Sequence, residues 1–198
     1  MGIDSAACNG YKVKTWRGTA LSVKKDTHRF VPMTADYAAE IVSTWIYEGE
    51  HAIYNYANEA EHMLDSEAWG VGLFAVLDEH GALVGELSLD YFDENDTPLD
   101  YADYGNKALI DLHELWIGFG MRPDLIGQGR GGGFVRACVD FIETNIPYEG
   151  DFVHLGVALF NQRAIKAYQK AGFEIFEQAV GTINGKPYDV VRMRRALR

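Results

Sequence analysis

The chain is short of positive charge. Its 18 Lys and Arg stand against 29 Asp and Glu, a formal net charge of -11. That balance leaves no broad basic face for nucleic acid or an anionic membrane surface, so neither is expected as a partner. Cysteine is scarce as well: Cys8 and Cys138 are the only two. Neither sits in a C-x-x-C pair, so a reduced, cytoplasmic setting is expected and no metal set is proposed. No apolar run is long enough to span a membrane, and no basic-then-apolar leader is visible. Met1-Gly2 is followed by Ala6 where an acylation signal needs Ser or Thr.

What remains is ordinary for a globular protein. A length of 198 residues with 47% hydrophobic content can bury one sizeable core, and two full domains would be crowded. Residues 1–29 lack a clear period and read as an N-terminal extension. From Phe30 the pattern sharpens into one domain over 30–198. "RFVPM" reads as a short strand, and Thr34 as the N-cap of a helix in "ADYAAEIVSTWIY". A second helical stretch is expected from about Ala52 to Leu64. "WGVGLFAVLDEHGALVGELSLDYF" reads as a hairpin turning at Asp78–Gly81, followed by an acidic loop. "ALIDLHELWIGFGM" reads as a long strand, "GGFVRACVDFIETN" as an amphipathic helix and "FVHLGVALF" as a buried strand. "NQRAIKAYQKA" reads as a short helix capped by Gly172. Asn184-Gly185 marks a closing hairpin. The expected class is α+β, a mixed and mostly antiparallel sheet flanked by helices.

Chemistry concentrates in "MRPDLIGQGRGGGFV", which holds five glycines in seven residues. A nucleotide P-loop would need Gly-Lys followed by Ser or Thr, which is absent after Gly131. The literal G-x-G-x-x-G at Gly127, Gly129 and Gly132 lacks the acidic residue that would end the next strand in a dinucleotide fold, since that strand ends "VALFN". Two readings stay open from the loop itself. One is an anion cradle of backbone amides at a helix start, suited to a pyrophosphate; the other is a turn that only packs a helix tightly.

A second segment, "NQRAIKAYQKAGF", places Asn161, Ala164, Tyr168, Gly172 and Phe173 at fixed spacing. Together with "RPDLIGQGRGGGF" it resembles the GNAT superfamily of N-acetyltransferases, over roughly Phe30 to Leu197. The resemblance implies acetyl-coenzyme A as co-substrate and a non-metal reaction. It implies that the backbone of Phe119, Gly120 and Met121 pairs with the pantetheine arm. Ile126, Gly127, Gln128, Gly129, Arg130, Gly131 and Gly132 would surround the pyrophosphate. Asn161 would contact the pantetheine, and Tyr168 would protonate the departing thiolate. Ile126 stands where the family usually has Gln or Arg, which removes a side-chain contact but not the backbone cradle.

The acceptor side is less legible. Glu114 is the first choice for a general base, with His113 and Asp111 nearby, and each could equally be an ordinary strand-end residue. Trp45, Tyr47, Tyr54 and Tyr56 could line an acceptor pocket or belong to core and rim. The acidic run Asp90, Asp93, Glu94, Asp96, Asp100 and Asp103 could attract a cationic small-molecule or peptide amine, or be a solvated loop. Enzymatic transfer to a primary amine in a ternary complex is the first reading. A non-catalytic acyl-coenzyme A sensor is the alternative, and a homodimer is left open.

Overall fold

The computed structural model describes residues 28–95, 97–101 and 114–197. The described chain is a seven-stranded sheet with helices on both faces. Its strands are β1 (Arg29–Pro32), β2 (Leu73–Leu77), β3 (Leu83–Phe92), β4 (Glu114–Met121), β5 (Phe152–Ala158), β6 (Glu174–Ile183) and β7 (Lys186–Ala196). They lie in the order β1-β2-β3-β4-β5-β7-β6. Every pairing is antiparallel except β4 with β5. The α+β expectation holds. Among the described residues no helix is long and apolar enough to cross a membrane.

The strand period divides the core between the two faces. On β2, Phe74 and Val76 point to one cluster while Leu73, Ala75 and Leu77 point to the other. The first cluster packs under α3 (Gly131–Asn145) and α4 (Gln162–Lys170), through Phe134, Cys138, Phe141, Ile142 and Ile165. Phe141 stacks on Phe30 at 4.4 Å between ring centroids and meets Phe74 edge-on at 5.1 Å. The second cluster packs under α1 (Ala35–Thr44) and α2 (Ala60–Leu64), through Ala38, Ile41, Trp45 and Met63. Cys138 is a buried free thiol; Cys8 lies outside the described residues.

Local signals account for several boundaries. The Thr34 hydroxyl accepts from the Tyr37 amide at 3.3 Å and starts α1. Asn184 (φ 51°) and Gly185 (φ 71°) occupy the left-handed region that a tight hairpin turn requires. Two expectations needed correction. The helical stretch over 52–64 is mostly two 3-10 turns, Gly49–Tyr54 and Tyr56–Glu59, with α2 confined to Ala60–Leu64. The first arm of the 69–92 hairpin begins at Leu73, because residues 68–72 form turns in which the Val71, Gly72 and Leu73 amides donate to the Ala68 carbonyl. The reading of a strand from Ala108 falls outside the described residues up to His113; its remainder is β4.

Glycine at Gly85 is a packing requirement. A Cβ there would run into the Phe134 ring and approach the Gly120 carbonyl oxygen to 2.9 Å. Gly85→Ala should therefore lower stability by about 1–3 kcal/mol in urea unfolding. Gly156, whose added Cβ would meet nothing within 4 Å, is the control, and its alanine variant should stay within about 0.5 kcal/mol of wild type. Equal behaviour of the two variants would contradict this packing.

Candidate active site

β4 and β5 pair only at Leu115–Val153 and Trp116–His154, and no register pair joins them beyond Trp116. The Arg122 amide donates to Val84 on β3 at 3.0 Å. Strand alternation then turns the N–H and C=O groups of Ile117, Phe119 and Met121 away from β3, toward the split. A cleft of about 910 Å³ opens there, lined by parts of β3, β4, β5, α3 and α4 and by the tyrosine-rich segment before α2.

The glycine turn forms one wall. Gly127 (φ 83°) and Gly129 (φ 78°) are left-handed, and an added Cβ at either would meet nothing within 4 Å. The conformation, rather than crowding, calls for glycine, and the space over the turn is open. Gln128 braces the turn by donating to the Asp124 carbonyl at 2.8 Å, and Arg122 clasps Asp124 at 2.7 Å. The amides of Gly133 and Phe134 return to the Arg130 carbonyl at 3.1 and 3.0 Å. A helix leaves its first amides without intrahelical partners, here those of Gly131 and Gly132, at the positive end of the dipole. This arrangement fits a pyrophosphate.

Of the residues singled out from sequence, the structure brings Phe119, Met121, Ile126, Gly127, Gly129, Gly131, Gly132, Asn161 and Tyr168 to this cleft. Gly120 lies between two of them on β4. Gln128 and Arg130 are exposed on the turn, Gln128 with its side chain turned to Asp124. Asn161 caps α4, its Oδ1 accepting from the Ala164 amide at 3.2 Å. Tyr168 packs against Phe119 at 5.8 Å between centroids. Burial, and secondarily the neighbouring Tyr54, Cys138, Glu86 and Tyr47, keep its phenol protonated well above the ordinary range.

Glu114 is not brought to the cleft. It begins β4, seven residues before Met121 at the other end of the strand, and its Oε2 accepts from the Trp116 indole at 2.7 Å. His113 and Asp111 lie outside the described residues. Trp45 belongs to the core, 2% exposed, whereas Tyr47, Tyr54 and Tyr56 line the cleft. Asp90 lines it too and accepts from the Tyr101 hydroxyl at 3.1 Å. Asp93 instead organises its own turn, accepting from the Asn95 and Thr97 amides at 2.8 and 3.0 Å. Glu94 and Asp100 are exposed, and Asp96 and Asp103 lie outside the described residues.

Sequence reasoning missed Glu86. Its strand, "LVGELSLDYF", alternates so that Glu86, Ser88 and Asp90 share the face turned to the cleft. A lone carboxylate inside an apolar strand was the available signal. Glu86 is 4% exposed, and its Oε1 accepts from the Tyr56 hydroxyl at 2.8 Å. Its Oε2 has no hydrogen-bond partner among the described residues. Gly120 makes this possible, because an added Cβ would collide with the Tyr56 hydroxyl and approach Glu86 Oε1 to 2.9 Å. Tyr47 adds a second hydroxyl, donating to the Met121 carbonyl at 3.0 Å. Desolvation raises the Glu86 carboxyl to about 7, aided by Asp90 and opposed by the Tyr56 hydroxyl and the Gly120 amide.

A carboxyl with a higher pKa folded than unfolded binds more protons in the folded state, so stability falls as pH rises from about 4.5 to about 7. Glu86→Gln retains an acceptor for Tyr56 without the buried charge. It should raise the melting temperature above wild type at about pH 8, by a free energy of up to about 3 kcal/mol. The gap should close toward about pH 5, and thermal melts across pH check this. A gap that does not grow with pH would contradict it.

Comparison with known proteins agrees with this geometry. The family model described as Acetyltransferase (GNAT) family matches residues 37–173. No curated protein sequence matches the chain. Among solved structures, a spermidine N-acetyltransferase from Vibrio cholerae in complex with CoA and spermine superposes with a TM-score of 0.53 at 19% identity, covering 85% of this chain and 95% of that one. A chimera of the Vibrio cholerae spermidine N-acetyltransferase and hSSAT gives 0.58 at 18%, with 85% and 95% covered. A protein described as a candidate phosphinothricin N-acetyltransferase gives 0.56 at 15%, with 87% and 99% covered. These likenesses are of fold. The family match spans more than half of the chain, which therefore belongs to the GNAT family of acetyltransferases.

Proposed function

We propose that the protein transfers the acetyl group of acetyl-coenzyme A directly to a primary amine within a ternary complex. The observation that carries this is the split between β4 and β5 with the glycine turn at its edge. The strand supplies outward N–H and C=O groups at Ile117 and Phe119 that an extended pantetheine arm can pair with, as an added strand would. The turn and the amides of Gly131 and Gly132 receive the pyrophosphate. An amide at the split, that of Phe119 or Ile117, stabilises the oxyanion of the tetrahedral intermediate. Tyr168 protonates the departing thiolate, a task suited to a phenol held protonated by burial.

The acceptor is a small cationic amine. Glu86 and Asp90 place two carboxylates on the cleft wall, and the formal net charge of -11 favours approach of a cation. The spermine-bound relative of the same fold is consistent with that class.

Two variants test the transfer machinery. Gly131→Asp puts an anion at a helix start, where the fold tolerates it and a pyrophosphate does not. Calorimetry should show acetyl-coenzyme A binding weakened at least about tenfold, equivalent to about 1.4 kcal/mol; unchanged affinity would remove the cradle. Tyr168→Phe should lower kcat by about 100-fold while acetyl-coenzyme A affinity stays within about twofold. An unaltered kcat would show that the proton comes from elsewhere.

A further inference from the structure

We propose that Glu86 is the group that takes the proton from the acceptor ammonium, with Tyr56 as its positioning residue. This rests on the acetyl-transfer reading above and assigns the role that Glu114 is too far along β4 to fill.

Two carboxylates of the described residues line the cleft, Glu86 and Asp90. Asp90 is opposite Trp116, where β4 is still paired with β5, and it already accepts from Tyr101. Glu86 is opposite Gly120, four residues past the parting of the strands and between Phe119 and Met121, whose backbone groups face the split. Its Oε1 is fixed by Tyr56 and its Oε2 is buried and unpartnered among the described residues, so one oxygen is oriented and the other is unsatisfied. An unpartnered buried carboxylate costs stability. A cationic amine in the cleft would supply the missing hydrogen bond and the missing countercharge at once.

The titratable groups that face Glu86 come from every element around it. They are Tyr47 and Tyr56 from the segment before α2, Asp90 from β3, Cys138 from α3 and Tyr168 from α4. None of these is a cation; His51 and His62 line the same cleft from the segment before α2 and from α2, and Arg136, Arg163, Lys166 and Lys170 line it from α3 and α4. The ion pairs of the described residues lie elsewhere, at His80–Glu79, Arg122–Asp124, Arg192–Glu177 and Arg194–Glu174. A carboxyl poised near neutrality is suited to accept a proton from a desolvated ammonium, whose own pKa is lowered by the same burial.

The step balances. The Glu86 carboxylate takes one proton from the ammonium, and the freed nitrogen lone pair forms the C–N bond at the thioester carbonyl. The C–S bond breaks with its electron pair on sulfur, which takes the Tyr168 proton. The proton shed by the amide-forming nitrogen restores Tyr168, and the proton on Glu86 leaves to solvent.

Three measurements on wild type and Glu86→Gln test the assignment: acetyl-coenzyme A affinity by calorimetry, and kcat/KM against pH with two acceptor probes. The probes are spermidine, protonated at the assay pH, and 2,2,2-trifluoroethylamine, already largely neutral there. In wild type, kcat/KM for spermidine should fall as pH drops through about 7, as Glu86 protonates. The variant should bind acetyl-coenzyme A normally, lose at least about 100-fold with spermidine together with that acid limb, and lose less than about threefold with trifluoroethylamine. An equal loss on both amines, or an acid limb that survives the substitution, overturns the assignment alone. A wild type that binds acetyl-coenzyme A but acetylates neither amine overturns the acetyltransferase reading and this assignment together.

Discussion

β4 and β5 share two register pairs and then separate, and the organisation of the cleft follows from that separation. A parallel pair held over its full length would satisfy the backbone groups of Ile117 and Phe119 within the sheet. Because β5 leaves β4 after Trp116, those groups face a gap instead. α3 starts from the turn that follows β4, so its first amides and dipole point at the same gap. α4 starts just after β5, and its Asn161 cap and Tyr168 face the gap from the other side. One interruption of pairing thus brings a strand edge, a glycine turn at a helix start and a phenol to a single cleft.

The wall formed by Glu86 and Tyr56 adds a different constraint. A carboxylate in an apolar strand is unfavourable in the folded chain, and here glycine gives it room. Without a Cβ at Gly120, the Tyr56 hydroxyl reaches Glu86; without one at Gly118, Ser88 can point across the sheet from the neighbouring position. The hairpin tip closes the region from outside, where the Asn184 side-chain amide donates to the Ile53 carbonyl. The folded state accepts a destabilised charge where a cation can compensate it. That is the compromise expected of a binding cleft rather than of a core.

Much of this was legible from local signals. Thr34, Asn184-Gly185 and the spacing of Asn161, Tyr168 and Gly172 each encode a conformation or a cap within a few residues, so the corresponding elements are legible directly. The segment from Gly49 to Leu64 misled because its apolar spacing is helical while its chain forms 3-10 turns. It packs Tyr56 and Met63 inward under tertiary rather than local control. Glu114 stands on the central strand, but reach along β4, not membership of it, decides access. Glu86 carried no motif, and its meaning depends on Tyr56 and Gly120, 30 residues away in one direction and 34 in the other. The four aromatics looked alike in sequence; the end of α1 turns Trp45 into the core and leaves Tyr47, Tyr54 and Tyr56 on the cleft wall.

Acetyl-coenzyme A is proposed to occupy the β4–β5 split through backbone amides. Amide hydrogen exchange followed with and without acetyl-coenzyme A tests it most directly. New protection is expected over residues 117–121 and 127–133, with little change in the outer hairpin formed by β6 and β7. Protection that appears elsewhere while these two segments exchange as before would contradict it.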